Sequence, residues 1–153
     1  MVLRLDMDEV REFIGKSSME SGVFVGCDSF RHRRNGVWVA TFVEVVVVHR
    51  DSCRGARIFG KREVLPDFRR RDDRLRAEFY RATELWLQVR DYVQDRPSGL
   101  HIDFNRDPRY ASARMVNEAI GYVRWHTGME PVFKPDAFAA SAAADRLAGL
   151  HAA

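Results

Sequence analysis

The sequence predicts an α/β domain on a five-stranded mixed sheet, with a three-strand antiparallel meander, two parallel strands and helices on both faces. Three observations predict it. Two β-branched, apolar runs lie early in the chain and are joined by turn signals. A four-and-three spacing of large apolar residues takes over after residue 70. Short apolar runs then alternate with helical stretches, and parallel crossovers of that kind need covering helices.

Taken in order, Val10, Phe13 and Ile14 within Asp8 to Ile14 fit a short amphipathic helix, with Asp6 or Asp8 as its cap. Val23 to Cys27 and Val37 to His49 read as strands. Between them Arg31 to Gly36 (RHRRNG) carries an Asn-Gly turn signal, so the pair predicts a hairpin. A second turn, Asp51 to Gly55, leads into a third strand, Arg57 to Leu65.

From Arg70 to about Gln94, Leu75, Phe79, Ala82, Trp86, Val89 and Val93 mark one core-facing helix stripe. Leu100 to Phe104 is a short buried strand. Ala111 to His126 is a helix, Pro131 to Lys134 a brief strand, and Asp136 to Leu150 an Ala-rich helix capped by Asp136. Residues 1–22 read as an N-terminal helical extension and 23–153 as the domain proper.

The composition narrows the function classes. The chain has 153 residues, 46% of them hydrophobic, enough for one core. A net charge of +3 permits nucleic-acid contact without requiring it. Cys27 and Cys53 lack the spacing that holds zinc, and the expectation is of reduced thiols in a cytoplasm. Apolar runs such as Val45 to Val48 are far short of the roughly 20 residues a membrane span needs, so no membrane partner is expected.

The acidic residues carry the chemistry. Asp28 ends the first strand on the same face as Gly26, whose missing side chain leaves room beside the carboxylate. Asp103 lies inside a strand, where a carboxylate needs a cation or hydrogen bonds. Glu78 and Glu84 compete on the long helix: helical phase favours Glu78, which flanks the apolar stripe, while Glu84 points nearly opposite it. Asp136 and Asp145 compete in the last helix. Asp28 and Asp103 fall at the ends of strands expected to be parallel and adjacent, where open α/β sheets place their sites. Carboxylates gathered there repel one another unless divalent cations neutralise them.

Several stretches resemble the YkuK-like branch of the ribonuclease H-like superfamily. They are Val25-Gly26-Cys27-Asp28-Ser29, Thr83-Glu84-Leu85, His101-Ile102-Asp103, Ala119 to Arg124, and Lys134 to Ala140 through Ala144-Asp145-Arg146. The resemblance implies a ribonuclease H fold and Mg²⁺ or Mn²⁺ ligation by Asp28, Glu84, Asp103 and Asp145 as catalytic residues, with Asp136 the second choice for the C-terminal ligand. On this wording Glu84 is preferred to Glu78. No Gly/His-rich loop precedes the last helix, so the resemblance does not carry hybrid specificity.

If so, Asp28 and Asp103 bridge two ions about 4 Å apart for phosphodiester hydrolysis. Arg31, Arg33, Arg34 and Lys134 are candidates for holding the phosphate backbone of RNA, DNA or a hybrid, although a cluster like RHRR also fits a solvated turn. The alternative is a non-catalytic nucleic-acid-binding module on the same fold. A phosphotransferase would need Gly-rich phosphate loops that the chain lacks, and a thiol within a strand, such as Cys27, is ordinarily inert filling. Monomer and homo-oligomer both remain open.

Overall fold

The computed structural model describes residues 5–66 and 70–139. Helix α1 (Met7–Lys16) begins at Asp6, whose carboxylate accepts hydrogen bonds from the Asp8 and Glu9 amides and so satisfies two amides that the helix leaves open. Its apolar face sends Val10 and Ile14 into the main core.

Strands β1 (Gly22–Arg34), β2 (Val37–His49) and β3 (Ala56–Pro66) form the expected meander. Asn35 and Gly36, at φ of 52° and 77°, make the two-residue turn between the first two strands. This corrects one expectation. Arg31 to Arg34 belong to β1 rather than to the turn, because each pairs with a residue from Val37 to Ala40.

Helix α2 (Arg71–Val93) buries the predicted stripe, with Phe79 and Val89 fully covered. It stops at Gln94, which has φ 53°. There the buried guanidinium of Arg96 donates to the Tyr92 and Val93 carbonyls ending α2 and to the Ser17 and Ser18 carbonyls beyond α1. One side chain thus closes two helix ends.

Strand β4 (Ser98–Asn105) follows, then a 3-10 turn at Ala111–Met115, helix α3 (Val116–Thr127) and strand β5 (Val132–Lys134). The α-helix therefore starts five residues later than the sequence suggests. The Asn105 amide donates to Ser112 Oγ at 3.0 Å, which ties the tighter turn to the end of β4.

The sheet order is β3-β2-β1-β4-β5, antiparallel on one side of β1 and parallel on the other. Val25, Cys27, Phe42, Leu100 and Ile102 meet α2 in the main core. On the other face Val43, Val45 and Val47 pack with Ala139, where the chain after β5 crosses over. Among the described residues α1, α2 and α3 cover the first face, and Ala139 lies on the second. The predicted last helix lies, beyond Ala139, outside the described residues.

Candidate active site

Strand pairing between β1 and β4 runs as far as Cys27 opposite Ile102. Asp28 and Asp103 are the next residue on each strand. Because Cys27 and Ile102 face the core under α2, alternation turns both aspartates to the opposite face, side by side where the parallel pairing stops. Contrary to the expectation from sequence, Asp28 does not end β1, because β1 runs on to Arg34 against β2. Both are partly buried. The Asp28 carboxylate accepts from the Ser29 amide at 2.8 Å.

Lys134 comes from β5 and holds its ammonium 3.0 Å from Asp103 Oδ1. Its pKa is raised, first by the hydrogen bond to Asp103 and, against the effect of burial, by the charges of Asp103, Asp28 and Tyr110. Lys134 was a sequence candidate for phosphate contact. Its observed partner is a carboxylate of the candidate metal set.

On the α2 side, Glu78 is buried at 3% exposure and accepts a short hydrogen bond from Ser29 Oγ. Arg74, one turn earlier, donates to Ser29 O at 2.9 Å and Ser29 Oγ at 2.7 Å and stands 3.6 Å from Glu78. Burial pushes the Glu78 carboxyl well above the usual carboxylate range, and the negative charges of Asp28 and Asp103 push it further, against Ser29 and Arg74. The fields of both aspartates therefore reach Glu78.

Glu84 lies on the exposed part of α2, where its charge acts on Tyr122. Of the two helix glutamates, Glu78 is the one that the charges of Asp28 and Asp103 reach. Asp136 is exposed in a turn, its amide donating to Phe133 O at 3.0 Å. Asp145 lies outside the described residues. Among the described residues no group of three or more His, Cys, Asp or Glu side chains stands in metal-holding geometry. The hard oxygens of Asp28 and Asp103 nevertheless suit Mg²⁺ or Mn²⁺, and a cationic ammonium already sits against one of them. The donor chemistry of these two carboxylates fits such an ion.

The spacing of charges along the sequence gave no sign of two further groups. His101, two residues before Asp103, is buried among Phe24 and Phe138, and its Nδ1 accepts from the Phe138 and Ala139 amides at 3.1 Å each. Burial lowers its pKa to about 4, so the ring is neutral and anchors the chain leaving β5. A cavity of about 520 Å³, lined by Arg106, Arg109, Tyr110 and Arg114 among others, opens on the segment after β4. Arg109 pairs with Asp107 and Arg114 with Asp72, while Arg106 lies over the Phe133 ring at 4.9 Å. Cys27 is buried and its thiol is held well above its ordinary pKa by burial, which makes it inert.

The family model described as Ribonuclease H-like matches residues 6–148. No curated protein and no solved structure matches the chain significantly.

Proposed function

The chain belongs to the ribonuclease H-like family, and from that premise we propose that it hydrolyses phosphodiester bonds of nucleic acid where the parallel pairing of β1 and β4 ends. The observation that carries the reading is the adjacency of Asp28 and Asp103 on neighbouring parallel strands, with the Lys134 ammonium beside them. Asp28 and Asp103 would hold Mg²⁺ or Mn²⁺, with Glu78 a further carboxyl within reach of their charges and Asp145 a candidate for completing the set. Bound there, such a cation supplies an activated water and charge neutralisation at the phosphoryl oxygens.

The chain's own residues do the rest. The Ser29 amide orients the Asp28 carboxylate. Lys134 offers a positive charge that a phosphate oxygen can share with Asp103. Arg106 and Tyr110, which line the cavity after β4, would offer a guanidinium and a ring to a neighbouring nucleotide.

The test is cleavage of labelled single- and double-stranded RNA and DNA over a Mg²⁺ and Mn²⁺ titration. Activity that needs the cation and drops at least a hundredfold in Asp28→Asn and Asp103→Asn supports the reading, a size typical of losing charge stabilisation at the reacting centre. Undiminished cleavage in both variants rejects it.

One observation favours a second reading. With no three-ligand group among the described residues, a nucleic-acid-binding module without cleavage follows if both variants bind substrate and the wild type never cuts it.

A further inference from the structure

Beyond Asp28, β1 continues past the end of its pairing with β4 as a ribbon with β2. In this ribbon Arg33 lies opposite Trp38 and Arg31 opposite Ala40, so Arg31, Arg33 and Trp38 share one face. The guanidinium of Arg31 lies over the Trp38 ring at 4.2 Å from its centroid and that of Arg33 at 5.0 Å. Trp38 is still 39% exposed, Val37 beside it 63%, and Phe30 on the opposite face 37%. No acidic residue occurs from Ser29 to Val43, a stretch that carries three arginines and one histidine.

A strand edge guarded against aggregation needs charge, and the arginines alone would supply it. An exposed indole with Val37 at the tip works against that purpose. An indole flanked by two guanidinium groups on one face of an anion-seeking ribbon matches what stacks a base while neutralising the backbone beside it. Bases inside a duplex are stacked on each other and offer no free faces, so the ligand has to be unpaired.

We propose that the Arg31–Trp38 ribbon is a stacking platform for a single nucleic-acid strand, which makes single-stranded RNA or DNA the substrate class. The inference deepens the phosphodiesterase reading and rests on it for where the strand leads. Asp28 and Arg33 lie on one continuous strand, five residues or about 17 Å apart at the usual rise per residue. Alternation puts Arg31, Arg33 and Trp38 on the Ser29 face of β1 and Asp28 on the other, so a strand stacked on Trp38 reaches the carboxylates only by crossing the sheet beyond the end of the β1–β4 pairing.

The test is binding of labelled single-stranded RNA, single-stranded DNA and the matching duplex to the full chain in EDTA, by fluorescence anisotropy. EDTA keeps binding separate from cleavage. Single strands should bind more tightly than the duplex. Trp38→Ala should weaken single-strand binding by roughly tenfold or more, as loss of one stacked base does, while Trp38→Phe retains most of it. Arg33→Ala should weaken binding with a shallower salt dependence. Circular dichroism checks that each variant is folded.

Equal or better binding of the duplex overturns the inference, and so does single-strand binding unchanged in Trp38→Ala. If that variant binds normally while Asp28→Asn abolishes cleavage, only the platform falls. If Trp38→Ala loses binding but no cation supports cleavage, the platform stands as a binding surface and only the hydrolytic reading falls.

Discussion

The Lys134 ammonium and the Asp103 carboxylate meet at 3.0 Å across β5 and β4, with Lys134 43% exposed and Asp103 13%. A lysine so placed occupies ground that a divalent cation bound to Asp103 would need. Lys134→Met should therefore lower stability in EDTA by about 1 kcal/mol, since the pair is half in solvent. That corresponds to a melting temperature lower by roughly 2–4 °C. Added Mn²⁺ should raise the melting temperature of Lys134→Met more than that of the wild type. Equal responses would show that the lysine and the cation do not compete.

Glu78 has a raised pKa in the folded chain, so the folded state holds its proton where the unfolded chain, near 4.5, has lost it. Burying this carboxyl consequently costs stability as pH rises from about 4.5 toward neutrality. Glu78→Gln keeps an acceptor for Ser29 and removes the ionisation. The stability of the variant relative to wild type should climb between pH 4.5 and 7.5 in urea denaturation. A difference that stays constant over this range would mean that Glu78 is ionised throughout.

His101 behaves in the opposite sense. Its pKa is lowered from 6.5 to about 4, so on acidification the unfolded chain takes up a proton that the folded chain refuses. Stability should fall between pH 6.5 and 4, by at most roughly 3 kcal/mol from this residue. His101→Asn keeps an acceptor toward the Phe138 and Ala139 amides without titrating there, and should flatten the profile while losing ring packing. A direct check is the imidazole resonance of His101 by NMR, which should stay neutral at pH 5.5.

Arg96 is buried at 6% exposure and donates to four carbonyls, at Ser17, Ser18, Tyr92 and Val93. Removing it strands acceptors at two helix ends. Arg96→Ala should cost about 2–4 kcal/mol in denaturant unfolding, and Arg96→Lys should recover only part, because an ammonium lacks the planar fork. Mn²⁺ affinity, measured below the unfolding transition, should be unchanged.

Asp28 and Asp103 were legible because each ends or interrupts an apolar run of period two, and a carboxylate there is conspicuous. Glu78 was half legible. Helical phase places it beside the buried stripe, but the local wording around Thr83-Glu84-Leu85 points to Glu84, and only the docking of α2 on Ser29 separates the two. The role of Lys134 beside Asp103 was hidden, since the pairing of β4 with β5 shifts register between His101 and Asn105 and that shift has no periodic signature. Arg31 to Arg34 read as a turn because charged residues do not mark strands. The apolar partner strand from Val37 to Ala40 extends the ladder through them.

The residues alone fixed the order of elements, the Asn35-Gly36 turn, the stripe of α2 and the outward phase of Asp28 and Asp103, because these depend on local periodicity and on backbone preferences within a few residues. That β1 runs six residues past Asp28 followed only from its pairing with β2. Tertiary structure alone decided which charges meet: Lys134 with Asp103, Glu78 with Ser29 and Arg74, Arg96 with two helix ends, and two arginines with Trp38. Three of these contacts, Lys134 with Asp103, Glu78 with Ser29 and Arg96 with Ser17, join residues more than thirty positions apart. Their energies depend on burial and on distances of a few ångströms, which are set only when the helices settle on the sheet and the strands find their register.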